Sequence, residues 1–115
     1  MLLILKNLRA AASPTTKLLL IDLIVPYACS VDPSSIPGGT IPGALLPPPP
    51  EPVLANLGEA NVQPYFADIH MLSFRGSQER TVGEFVSLAS QAGWTIVKIY
   101  RPAGSELMQL EGECA

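Results

Sequence analysis

The sequence is poor in charge: seven Lys and Arg stand against ten Asp and Glu, 15% of residues in all, for a formal charge of −3. Basic residues so few and so scattered form no stripe, which excludes the electrostatic footprint of a nucleic-acid or anionic-lipid binder. Cysteine is scarce too. Cys29 and Cys114 lie far apart without CxxC or Cys/His ligand spacing, so a reduced, cytosolic (cytoplasmic) chain without metal is expected, not a disulfide scaffold or zinc site. Long apolar runs are absent. The stretch Leu18 to Val25 is too short to span a bilayer and carries Asp22 in its middle. The opening MLLILKNLRAAA places its charges after the apolar residues, the reverse of a secretory signal, so no membrane segment is expected. Gly38, Gly39 and Gly43 sit among prolines without G-x-G spacing and follow no strand-to-helix junction, so no nucleoside cradle is expected from them.

What remains is largely apolar. Hydrophobic residues make up 48% of the 115 and the mean hydropathy is +0.31, which excludes a disordered acidic tail. For a chain of 12.2 kDa, area scaling gives roughly 6,000 Å² exposed when folded against about 17,700 Å² extended. One small unit with a real core is therefore within reach.

Along the chain, Leu2, Leu5, Leu8 and Arg9 have helical spacing and Ala10 to Ala12 extend a helix-forming stretch that lacks a capping residue at its start. After Ser13-Pro14, the run KLLLIDLIV (17–25), ended by Pro26, suits a strand buried on both faces of a parallel sheet. Residues 30–62 read as a long irregular proline-rich loop; eight of the 12 prolines fall between 30 and 52, which forbids helix or central strand. Ala67, His70, Met71 and Phe74 then share one face of a helix of about ten residues. Thr81 and Glu84 form a capping box ahead of the apolar stripe Phe85, Leu88, Ala89, with Gly93 as a C-cap. WTIVKIY (94–100) and ELMQLE (106–111) alternate as two antiparallel strands. The order belongs to an α/β layer protein in which only one strand has the character of a sheet centre.

Taken together, LKNLRAAASPTTKLLLIDLIVP, LANLGEANVQPYFADIHML, GSQERTVGEFVSLASQAGW and the terminal hairpin resemble the C-terminal third of plant and fungal small-molecule O-methyltransferases of the caffeic-acid type. The ERT segment with its F-x-x-L-x-x-x-A-G-W and the strand ending I-D-x-I-V-P carry the resemblance most specifically. It implies a partial class I, Rossmann-like domain over residues 1–115, with residues 17–25 as the fifth strand and the hairpin as the sixth and seventh. It further implies S-adenosylmethionine (S-adenosyl-L-methionine) as cofactor and the hydroxyl of a small aromatic metabolite as acceptor. The histidine base of that family precedes the point that Met1 occupies, and His70 does not match it, so the chain alone is expected to be inactive.

Carried over residue by residue, the resemblance implies that Glu79 orients the base, that Asp22 is a second acid at the strand's carboxyl end, and that Met71 packs on the acceptor with Ala67 and His70 beside it. Each has a plainer reading. Glu79 suits the dipole of the helix that follows it. Met71 and Phe74 suit a core, and His70 a surface position. Asp22, set among Leu20, Ile21, Leu23 and Ile24, is harder to dismiss, because an unpaired buried carboxylate costs several kcal/mol. Two rival functions stay open: an interaction module in which GALLPPPPEPVL adopts polyproline II for an SH3, WW or EVH1 groove, and a homo-oligomeric or complementing chain that docks through the free edge of the strand at 17–25.

Overall fold

The computed structural model describes residues 1–115. Helix α1 (Leu2–Ala11) opens without a side-chain cap and ends where Ala12 turns extended ahead of Ser13-Pro14. Strand β1 (Lys17–Leu23) follows, then a long connection, helix α2 (Gln63–Arg75), helix α3 (Val82–Gln91), and strands β2 (Trp94–Tyr100) and β3 (Leu107–Cys114). The sheet order is β1-β3-β2. β3 pairs antiparallel with both neighbours, so β1 and β2 run parallel to each other on either side of it. Leu110 stands opposite Leu20 on one side and Ile99 on the other. A bulge between Ile96 and Lys98 resets the β2 register.

One face of this sheet is covered. α3 packs on β2, and α1 packs on α3. Its core holds Leu5, Leu18, Val82, Phe85, Ala89, Trp94, Ile96, Ile99 and Leu110. Trp94 is anchored twice: its Nε1 donates to the carbonyl of Leu5 at 3.0 Å, and the Arg9 guanidinium lies 5.9 Å from its ring centroid. The capping box expected from Thr81 and Glu84 is formed in both directions, which satisfies backbone donors that would otherwise be orphaned at the start of α3.

The opposite face is bare. Leu18 is buried, but Leu19 and Ile21 are each 57% exposed, and β1 pairs through one edge only. The strand expected to be buried on both faces is covered on one, because no second layer of the chain reaches it. The accessible surface is 7263 Å², above the roughly 6,000 Å² of a compact chain this size. The radius of gyration of 14.9 Å likewise exceeds the ~13 Å of a compact domain. Leu3, Ile4, Leu19, Ile21, Leu72 and Phe74 are among the large apolar side chains left exposed.

The connection after β1 is irregular, as its prolines require, with short 3-10 turns at Pro33–Ser35 and Gly58–Asn61. Its first half is not a spacer. Ala44 is buried, Ile36, Ile41 and Leu45 pack on the core, and Ile99 donates its backbone N–H to Pro42 O at 2.9 Å. Gly43 makes this approach possible: its φ is +83° and a Cβ there would overlap the carbonyl oxygen of Ile99.

Candidate functional site

β1 ends at Leu23, and Ile24 then forms a parallel bridge with Arg80, with Val25 N–H donating to Arg80 O at 2.9 Å. This brings the Glu79-Arg80-Thr81 segment to the carboxyl end of β1. The segment is short and held at both ends. Gly76, in the left-handed region at φ 58°, closes α2 by donating to Leu72 O, and Ser77 N–H donates to Met71 O. At the other end Thr81 starts the capping box, and Gln78 Nε2 donates to Glu84 Oε1 at 3.0 Å.

Asp22 and Glu79 are brought together here, with a third acid that sequence reasoning passed over. Asp68, on α2, accepts the backbone N–H of Glu79 on its Oδ1 at 2.8 Å. Asp22 Oδ1 accepts the N–H of Leu23 at 2.9 Å. Burial holds the Glu79 carboxyl above its ordinary pKa, and the nearby charges of Asp22 and Asp68 push it further the same way, against a smaller pull from Arg80. Three acids with few counter-charges favour a proton or a cationic hydrogen-bond donor on Glu79. The signal for Asp68 was in the sequence: it stands three residues before Met71, on the same helical face.

The remaining candidates divide. Ala67 and Met71 are half-buried on α2, while His70 is exposed and tilted against Phe74, with ring centroids 6.0 Å apart. His70 makes no hydrogen bond to either carboxylate. Phe74 is 82% exposed and is not core. α2 as a whole buries no residue, and it is tied down by Asp68 and by Tyr65 Oη donating to Pro26 O at 3.0 Å. No group of three or more His, Cys, Asp or Glu side chains is placed to hold a metal, and Cys29 and Cys114 are free thiols.

The glycines do not fit as a nucleoside cradle. Added Cβ atoms would meet Val86 and Ile41 at Gly38, the Pro33 carbonyl at Gly39 and Ile99 at Gly43, so all three face the chain's own packing and not an open groove. These residues do not form a site for S-adenosylmethionine.

Against known proteins, no protein-family model matches the sequence. The chain is 40% identical over 98 residues to 4-O-methyltransferase 1 of Phanerochaete chrysosporium, covering 85% of this chain and 20% of that protein. It is 38% identical over 96 residues to an O-methyltransferase of Armillaria gallica, covering 84% and 20%. Its relatives are fungal O-methyltransferases. The chain spans about one fifth of the length of these O-methyltransferases, at their C-terminal end. Among solved structures, the mitomycin 7-O-methyltransferase MmcR matches with a TM-score of 0.65 at 18% identity, over 99% of this chain and 24% of that one. OxaC in complex with SAH and oxaline matches with a TM-score of 0.59 at 24% identity, over 97% and 21%. The fold is that of the C-terminal part of a class I methyltransferase, and the sequence is similar to that part of fungal O-methyltransferases. No helix is long and apolar enough to cross a membrane.

Proposed function

We propose that the chain is the C-terminal domain part, residues 1–115, of an S-adenosylmethionine-dependent O-methyltransferase acting on the hydroxyl of a small aromatic molecule. The observation that carries this reading is the convergence of Asp22, Asp68 and Glu79 at the carboxyl end of a strand whose other edge is unpaired. Ligands of open α/β sheets collect outside those strand ends. Glu79, with its raised proton affinity, orients and steadies a protonated base that the rest of the enzyme supplies. Asp22 adds negative charge to the same place, and Asp68 fixes the Glu79 backbone. Met71, polarizable and half-buried, forms with Ala67 a wall for a flat acceptor, and His70 borders it on the solvent side. The methyl donor is held by the part of the enzyme that lies outside this chain.

The reading predicts no methyl transfer by the purified chain incubated with labelled S-adenosylmethionine and a panel of phenols; robust turnover overturns it. In a full-length relative, Gln at the position aligned with Glu79 lowers kcat on the order of a hundredfold and leaves donor affinity intact. An unchanged kcat removes Glu79 from the mechanism.

A second reading has its own observation. Leu46, Val53 and Leu54 are exposed, so the stretch around Pro47 to Pro50 stands clear of the core and is open to an aromatic-lined groove. Pull-down with the 43–54 peptide and loss of capture on replacing Pro47 to Pro50 support that module; equal capture by the replaced peptide ends it.

A further inference from the structure

The proline-rich loop arches over a cavity of about 540 Å³ that none of the three clustered acids lines. It is lined by the segment that follows β1, from Ile24 to Tyr27, together with Val82, and by Pro33, Leu45 and Pro48 of the loop. Proline and tyrosine rings stand in a lining that mixes apolar residues with the polar Ser30, Asn56, Asn61 and Ser105, a make-up that suits a small molecule with one polar end. Two charged residues line it, Arg101 and Glu106. Arg101 lines the cavity half-buried, donating through Nε to Gly43 O and through Nη2 to Ala44 O, each at 2.8 Å. Its Nη1 has only the weak acceptor Met108 Sδ, at 3.7 Å.

A guanidinium has five N–H donors, so two remain without a protein acceptor. Nor does any carboxylate neutralise it: the ion pairs of the chain belong to Lys17, and Glu106, exposed at the cavity rim, makes none with Arg101. Burial pulls the Arg101 pKa below its ordinary value, the mark of a cation that has lost water and gained no counter-ion. A half-buried, unneutralised charge is a costly feature to keep unless something meets it.

We propose that this cavity binds a small aromatic carboxylate, its ring between the proline and tyrosine walls and its carboxylate on the free Arg101 donors. Guanidinium and carboxylate match as planar fork to planar fork, and the cavity size suits a ligand of one or two fused rings. The site is separate from the acidic cluster and stands whether or not that cluster serves methyl transfer.

Cys29 gives the test its reporter. It is an exposed thiol on the cavity wall, whereas Cys114 lies on β3 and donates its Sγ to Ser13 O, away from the cavity. The 115-residue chain is alkylated with iodoacetamide in the presence of 2-naphthoate, 2-naphthamide or octanoate, and both cysteines are followed by mass spectrometry. Naphthoate protects Cys29 saturably, half-maximal on the order of 0.1 mM, with Cys114 unchanged. The neutral amide needs at least about tenfold more. Arg101→Gln erases the difference between acid and amide. Ala55→Trp, which places a bulky ring on the cavity's exposed wall and leaves the Arg101 side chain itself unaltered, abolishes protection by both. Because Arg101 also holds two loop carbonyls, the acid–amide comparison on the parent chain and Ala55→Trp decide if Arg101→Gln fails to fold. Equal protection by acid and amide, stronger protection by octanoate, or undiminished protection in Ala55→Trp overturns the proposal.

Discussion

Asp68 Oδ1 accepts the backbone N–H of Glu79 across 2.8 Å, so one acid of the cluster fixes the chain that carries another. The two effects separate by substitution. Asp68→Asn keeps an acceptor but removes a charge, so the Glu79 pKa falls toward its ordinary value while staying above it, since burial is the larger cause. Asp68→Ala removes the acceptor as well and costs about 1–2 kcal/mol. Carboxyl-detected NMR titration and urea unfolding of the two variants check both; equal loss of stability in both contradicts the hydrogen bond's role.

Glu79 makes the chain less stable as pH rises. Its folded pKa lies above the unfolded value, so the folded state binds its proton more tightly, and that advantage, complete below the ordinary carboxylate pKa, is lost as pH climbs through the folded pKa. Glu79→Gln, which mimics the protonated form, is therefore more stable than the parent at about pH 7 and equal to it below about pH 4. Thermal melts across that window give the difference curve. A variant less stable at neutral pH contradicts the direction.

Glu111 works the other way. Lys17 Nζ at 2.6 Å and Tyr100 Oη at 2.7 Å donate to its two oxygens, and these bonds, Lys17's foremost, hold its carboxyl below the ordinary range. A depressed pKa contributes stability above the unfolded value and loses it as pH falls through the folded one. Tyr100→Phe raises the Glu111 pKa, lowers stability at about pH 7 and converges on the parent at about pH 3. Urea midpoints at the two pH values measure this.

Gly43→Ala pulls the proline-rich loop off β2. The φ of +83° and the overlap with Ile99 O each penalise a side chain, for a combined loss of about 2–4 kcal/mol. Hydrogen exchange at the Ile99 amide, which bonds Pro42 O, rises with it. Unchanged exchange and melting contradict the packing role.

Much of the sheet was legible in the sequence because its signals are local. An apolar run bounded by proline gave β1, although its last two residues leave the ladder to meet Arg80; Thr81 with Glu84 gave the start of α3; alternation gave β2 and β3. Coverage is not local. Periodicity placed Phe74 with Met71 on an apolar face, but whether that face meets a neighbour depends on a layer the chain does not contain, and Phe74 lies in solvent. Asp22 and Glu79 were legible through resemblance to a family motif. Helical spacing put Asp68 on the Met71 face, but neither its partner nor those of Arg101 were legible, since each comes from a segment distant in sequence: the Glu79 backbone for Asp68, the carbonyls of Gly43 and Ala44 for Arg101. Proline content hid the docking of residues 36–45, because composition reports what a loop cannot form and not what it touches.

β3 is the last element of the chain and lies between the other two strands. Neither ladder can form without Leu107–Cys114, so loss of that one segment leaves both β1 and β2 without a hydrogen-bonded neighbour.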